Sequence, residues 1–355
     1  MPDSRPPRVP GQPRPPRVTL TTVADDAGVS RATVSLVVRD SPLVADATRA
    51  QVLESIAKLG YVYNRAAAGM RSNKTGTLGL IVSSIANPFF GELVAGVESR
   101  LSELGHTLLF TQHSDSVAAQ RRQIEVMLEH RVDGVLVVPA LATPVDHLER
   151  FRDAGMPIAL VTRRIDGLHV PYVGSDNVSG ARKAGEHLLE HGSQSIAFVG
   201  GLADSSPYRE REEGLLSAIA MSRKQVELNS YPSAPTRDAG YEAVVKLLKR
   251  RGPKPDSILA YNDNLAAGVM AAIVDAGLNI GTDVRVVGYD DISSSKYSIP
   301  PLTTVSTRPS LIGSLATEAL FDYIENQAAD RDVLVPNSLA VRTSCGCTQD
   351  DGGQA

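Results

Sequence analysis

No stretch of this 355-residue chain is apolar for long enough to span a bilayer, and its first residues lack the apolar core of a secretory signal. A membrane-embedded or exported protein is therefore not expected. Cysteine is scarce: Cys345 and Cys347 are the only two. That excludes a disulfide framework and fits a reducing cytoplasm. The pair could form part of a metal site, but further ligands at suitable spacing beside them are missing, and no HExxH occurs among the seven histidines. No metal and no cofactor are expected. Catalytic motifs are also lacking: there is no GxxxxGK[ST] phosphate loop, no strand-coupled GxGxxG and no GxSxG nucleophile elbow. An enzyme is not expected.

What is present is ordinary globular composition, 42% hydrophobic and 21% charged, with room for two or three domains. The net charge of −4 conceals a split. Through Gly76 there are 11 basic and 6 acidic residues; the remainder holds 25 and 34. A basic end on an acidic body suits a protein that touches DNA with one end. Residues 1–17 hold seven prolines and four arginines and read as a disordered arm.

From Val18 to Arg39 the chain reads VTLTTVADDAGVSRATVSLVVR. Thr19 is placed to cap a helix from Leu20 to Ala27, Gly28 to supply a left-handed turn, and Ser30 to cap a second helix from Arg31 to Arg39. That pattern predicts a helix-turn-helix whose second helix enters a DNA major groove. Val34, Val37 and Val38 face inward, leaving Arg31, Ala32, Ser35, Leu36 and Arg39 outward. Arg31 in the first turn opposes the helix dipole, a placement that makes sense if it reaches a guanine edge; contact with phosphate or water alone is the other reading. Ala32 admits close approach to a thymine methyl. Leu36 either meets a base or packs on a third helix, predicted from Asp46 to Leu59 and ended by Gly60.

After Gly76, short apolar runs alternate with amphipathic stretches. Strands are predicted at Leu78–Val82, Leu108–Thr111, Val135–Val138, Ile158–Val161, Ile196–Val199, Ile258–Ala260 and Val284–Val287. Such alternation argues for doubly wound parallel sheets, without deciding between one large sheet and two lobes. Ligands of these sheets bind beyond the strands' carboxyl ends. Phe89 and Phe90 could wall a ligand there or serve as core. Asn262, Asp263 and Asp290 suit a hydroxyl-rich ligand, although Asp263 and Asp290 could equally cap helices. Arg163 is a candidate at the end of Ile158–Val161, with Arg164 as its rival. Asp176 and Asn177 are expected to organise a crossover rather than to touch ligand.

The ordered motifs TLTTVADDAGVSRATVSLVV, VADATRAQVLESIAKLGYVYNRAAAGMR, TGTLGLIV, NPFFGEL, VDGVLV, DNVSGARKAGEHL, YNDNLAAG, VVGYDDI and PPLTTV resemble the lactose/galactose repressor (LacI/GalR) family over residues 18–345. The resemblance implies an all-α helix-turn-helix headpiece (18–63) and a hinge helix with linker (64–76). It also implies an α/β core like periplasmic sugar-binding proteins, built of two doubly wound parallel-sheet lobes with effector between them. The lobes would comprise 77–176 with 308–336, and 177–307 with 337–350. Arg211, in the stretch RERE, matches the family position where an arginine reaches the effector. The hinge, Asn64 to Met70, would fold only on DNA, paired with its dimer mate in the minor groove. Family members usually insert leucine there; this chain has Met70, still an apolar wedge, and Gly69, which lowers helix propensity by up to about 1 kcal/mol. The candidate DNA contacts are then Leu20, Ser30, Arg31, Ala32, Thr33, Ser35, Leu36, Arg39, Tyr61, Asn64, Arg65, Ala67 and Met70. The residues after Arg342 hold no leucine heptads for a tetramerising tail. The expectation is a cytoplasmic homodimeric repressor of a pseudopalindromic operator, switched by a small-molecule effector of the sugar or sugar-derivative class; whether the effector induces or corepresses is open.

Overall fold

The computed structural model describes residues 18–62, 75–327 and 331–348. The arm 1–17 and the hinge candidates Asn64, Arg65, Ala67 and Met70 lie outside the described residues. The chain divides into two compact units, residues 1–73 and 74–355, and each is described by itself. No helix among the described residues is long and apolar enough to cross a membrane.

The first unit is built by local capping. Helix α1 (Leu20–Asp26) starts where the Thr19 hydroxyl accepts from the Thr22 amide at 3.3 Å. Gly28 takes φ 61°, a left-handed conformation open to glycine at little cost. Ser30 Oγ then accepts from the Thr33 amide at 3.1 Å and starts α2 (Arg31–Val38). Helix α3 (Asp46–Leu59) ends at Gly60, φ 63°. Helices this short are marginal alone; they hold because Val23, Ala24, Ala27, Val34, Val37 and Val52 are buried together.

The second unit contains two six-stranded sheets. The first has the order β11-β5-β4-β3-β1-β2, from β1 (Thr77–Val82), β2 (Thr107–Gln112), β3 (Gly134–Val137), β4 (Ile158–Val161), β5 (Tyr172–Ser175) and β11 (Asp332–Val335). The second, β12-β10-β9-β8-β6-β7, holds β6 (Ser195–Val199), β7 (Glu227–Tyr231), β8 (Ser257–Ala260), β9 (Arg285–Asp290), β10 (Thr303–Ser306) and β12 (Ser338–Ala340). The pairings are parallel except β10 with β12. Inner strands such as β1, β3 and β8 are covered on both faces, which is why they read as apolar runs without alternation. The chain therefore passes between the sheets after β5, β10 and β11. This resolves the ambiguity left by the alternation in favour of two lobes.

Five strands escaped the apolar-run reading. Strands β7 (ELNSY), β11 and β12 lie at sheet edges and carry polar or half-exposed residues, while β5 (YVGS) and β10 (TTVS) are buried but short and poor in aliphatic side chains. Strand β9 also runs past Val287, because Gly288, Tyr289 and Asp290 continue the ladder with Thr304, Val305 and Ser306. Asp290 is thereby the last residue of a central strand.

Helices α4 (Pro88–Glu103) and α11 (Pro309–Asn326; α5–α10 lie between them) approach closely in the first lobe through reciprocal glycines. A Cβ on Gly96 would stand 1.9 Å from the Ser310 carbonyl oxygen, and one on Gly313 would stand 2.3 Å from that of Leu93. Gly96→Ala should force the helices apart and cost roughly 1–3 kcal/mol, read as a lower midpoint in urea unfolding. An unchanged midpoint would show that this contact is slack.

One expectation needs correction here. Cys345 and Cys347 were judged to lack partners, yet the fold sets them beside His187 and His191 on α7 (Asn177–Glu190) and its C-cap. The i,i+4 spacing of His187 and His191 in HLLEH is readable along the chain, but the cysteines they meet lie about 160 residues downstream, so the pairing itself is not.

Candidate functional site

In parallel sheets all the strands point one way, so their carboxyl ends open on a common edge. Here the ends of β1, β2, β4 and β5 face those of β6, β8, β9 and β10 across a cavity of about 370 Å³. The Asn87 side chain caps α4, accepting from the Phe89 amide at 3.1 Å, and so fixes the first turn. Phe89 and Phe90 meet edge to face at 5.2 Å. Both line the cavity and both belong to the first lobe's core, so the two alternative readings hold together.

Arg211 projects from α8 (Ser206–Ser222) and is buried. Its Nε donates to Asn177 Oδ1 at 3.0 Å, its Nη1 donates to the Tyr261 carbonyl, and its guanidinium lies 3.6 Å over the Tyr289 ring. Asp290 Oδ1 is 3.8 Å from Arg211 Nη2. Burial pushes the Asp290 carboxyl up to about 8 despite the opposing pull of Arg211. Asp290 also sits at φ 113°, an unfavourable backbone conformation for a residue with a Cβ. A buried, strained carboxyl beside a buried arginine is typical of a ligand site.

Arg163 lines the cavity from the opposite lobe, and Arg164 does not. Arg163 forks onto both Asp115 oxygens and donates to the Pro139 carbonyl at 3.0 Å. Arg164 instead reaches Asp332 at 2.7 Å and stacks 3.7 Å over Tyr172. Asp115 is held in turn by His113, whose Nδ1 accepts from the Asp115 amide at 3.0 Å. Burial lowers the His113 pKa, and Nε2 donates to the Val138 carbonyl at 2.8 Å. This fixes a neutral tautomer.

Asp263 is a correction. It does not line the cavity. Its Oδ1 accepts from the Thr304 hydroxyl at 2.6 Å, and its Oδ2 accepts from the Ser295 hydroxyl at 2.6 Å and the Ile292 amide at 3.0 Å. The missing side chain of Gly288 makes room for it, since a Cβ there would lie 2.2 Å from Oδ1. Burial raises its pKa to about 6. Asp263 thus ties β10 and the 292–295 turn to the start of α10 (Asp263–Asp275). Asn262 does line the cavity while its side chain caps α10, accepting from the Leu265 amide at 2.8 Å.

Asn177 is a second correction: it was assigned to the crossover but lines the cavity, bridging Arg211 and Glu210 Oε2, the latter at 2.8 Å. Asp176 does serve the crossover, capping α7 through the Ser179 amide at 3.1 Å while its carbonyl accepts from Asn337 at 2.9 Å. Asp115, Ser83, Ser114 and Tyr261 are lining residues that the sequence reading missed. Applying the strand-end rule to β2, with its following HSDS, would have found Asp115 and Ser114. The result is an aromatic wall, two carboxylates, two arginines and a set of amides and hydroxyls around a volume suited to a small hydroxyl-rich molecule.

On the headpiece, Ser30, Arg31, Ala32 and Arg39 are exposed, with Thr33, Ser35 and Leu36 partly so. Arg39 Nε donates to its own helix at the Ser35 carbonyl, 3.1 Å. Leu20 and Tyr61 pack on the apolar cluster with part of their surface open, whereas Leu36 lies outside that cluster.

Comparison with known proteins agrees with this division. Residues 19–64 match the model of bacterial regulatory proteins of the lacI family, and residues 75–343 match that of periplasmic binding proteins and the sugar binding domain of the LacI family. Catabolite control protein A of Priestia megaterium is 32% identical over 92% of this chain and 99% of its own length. The ribose operon repressor of Halalkalibacterium halodurans is 31% identical over 91% and 96%. Among solved structures, the lac repressor dimer bound to operator and an anti-inducer superposes with a TM-score of 0.83 at 30% identity, covering 93% of this chain and 100% of that one. The transcriptional regulator CelR in complex with cellobiose gives 0.70 at 31%, covering 92% and 100%. The chain belongs to the lacI family of bacterial regulatory proteins.

Proposed function

We propose that this protein is a cytoplasmic, homodimeric transcriptional repressor that binds a pseudopalindromic operator and is switched by a hydroxyl-rich effector, a sugar or sugar derivative, held between its core lobes. The observation that carries this is the joining, in one chain, of an open Arg31-led helix start to a two-lobed cleft containing Arg211, Asp290 and Arg163. Residues 18–63 form the reading head, 64–76 the hinge, 77–176 with 308–336 one lobe, and 177–307 with 337–350 the other. Arg31, Ala32, Ser35 and Leu36 face base edges, with Arg31 donating to guanine. Ser30, Thr33, Arg39 and Arg65 hold phosphates, and Met70 wedges the central step. An effector spanning the lobes favours one lobe orientation, and so favours or prevents the meeting of two hinges.

Selection of genomic DNA fragments by the purified full-length protein, sequenced against input, should recover a palindrome whose occupancy falls steeply with salt. Arg31→Ala should then weaken binding by about 1–3 kcal/mol and relax the preference at one base pair in each half-site. Recovery without any motif, with or without a sugar panel, would defeat the reading. Equal loss on all sequences would reassign Arg31 to phosphate.

A further inference from the structure

The turn that carries the two cysteines is unusually well fixed. Gly346 between them adopts φ 94°, and a Cβ there would stand 2.6 Å from the Gly281 carbonyl oxygen, so this position takes glycine. Ser344 is buried; its hydroxyl donates to the Val286 carbonyl at 2.7 Å and accepts from the Thr303 amide at 2.8 Å. The turn is thereby bound to β9 and β10. Cys345 is buried beneath it, and Cys347 is half-buried.

Against this turn stands the end of α7. His187 in its last turn and His191 at its C-cap are one helical turn apart on one face, with ring centroids 4.7 Å apart. Cys347 Sγ is 3.1 Å from His191 Nε2 and 3.7 Å from His187 Nε2. The two ring nitrogens and two sulfurs all lie within 4.8 Å of one another.

We propose that His187, His191, Cys345 and Cys347 form a tetrahedral Cys2His2 zinc(II) site that clips the chain after β12 onto α7. Thiolates and imidazoles are the donor set zinc prefers, and four protein ligands describe a closed, structural site. With metal–sulfur and metal–nitrogen bonds of roughly 2.3 and 2.0 Å, the ligand atoms would sit roughly 3.3–3.8 Å apart. The observed cluster reaches that by small side-chain movements. Two surrounding features favour a bound cation. The histidines lie at the negative end of the α7 dipole. The Thr303 hydroxyl accepts from the Arg342 amide at 2.8 Å and is 3.1 Å from Cys345 Sγ, placed to donate to a thiolate. Helix α7 begins at Asn177, the partner of Arg211 in the cleft. The clip therefore anchors a helix whose other end lines the effector site.

The test uses untagged full-length protein, purified under reducing conditions so that no affinity tag supplies histidines. Elemental analysis should find one zinc per chain. Cobalt(II) added to the chelator-stripped protein should give thiolate-to-metal charge transfer and the intense visible bands of tetrahedral coordination. Cys347→Ser and His191→Gln, both at half-buried positions, should each lose the zinc while retaining operator binding. No retained zinc together with no thiolate–cobalt band would overturn the site, as would undiminished zinc in a Cys345→Ser/Cys347→Ser double variant. Should the variants fail to fold, the cobalt spectrum of the unaltered chain decides alone.

Discussion

Asp263→Ala should destabilise the core by about 3 kcal/mol or more, because it strips acceptors from three buried donors at once. The Ser295 and Thr304 hydroxyls and the Ile292 amide all converge on this carboxylate. Each buried donor left unsatisfied costs about 1–3 kcal/mol, although relaxation and entering water make the sum less than additive. Asp263→Asn should be milder, since the amide oxygen can still accept from the Ser295 hydroxyl and the Ile292 amide while the Thr304 hydroxyl turns to accept from the NH2. Urea unfolding of both variants checks this. Near-native stability with lost effector binding would return Asp263 to the ligand site and overturn its assignment as a brace.

The second large effect concerns the pair Arg211 and Asp290. Arg211→Ala should weaken cleft binding by about 2–5 kcal/mol, roughly thirtyfold to several thousandfold. It removes the buried donor and leaves the Asn177 Oδ1 and the Tyr261 carbonyl oxygen without the hydrogen bonds it gives them. Calorimetry with the sugar that most raises the melting temperature of the parent protein would measure it; a change below threefold would place the ligand elsewhere. Asp290→Asn should separate binding from stability. The Asp290 pKa is raised in the folded state, so its stabilising contribution is fully present below the unfolded value of about 3.8 and is lost as pH rises through about 8. Asparagine does not titrate. The variant should bind effector poorly, yet its stability relative to the parent should improve steadily from pH 4 to pH 8. A relative stability independent of pH would show that burial does not strain this carboxyl.

Such a carboxyl costs stability and is retained where function requires it. Its neighbour in the fold, Asp263, shows the opposite use of the same residue type. Both follow apolar strands and both were read from the sequence as candidate ligands. Only pairing separates them: Gly288, Tyr289 and Asp290 extend β9 along β10, which carries Asp290 to the cavity and sets Thr304 beside Asp263. The same holds for Arg163 and Arg164, adjacent in sequence but turned to different sides by the strand end.

By itself the sequence determined what neighbouring residues decide. Thr19, Gly28, Ser30 and Gly60 place the headpiece helices through hydrogen bonds and backbone conformations that span four residues or fewer, so their pattern is readable along the chain. The apolar inner strands were readable for a similar reason, because burial on both faces leaves a local run of Leu, Ile and Val. Tertiary structure alone decided which carboxylate lines the cavity, which arginine lines it, and that Cys345 and Cys347 meet His187 and His191. These outcomes depend on strand register and helix packing between segments far apart in sequence, and no local spacing encodes them.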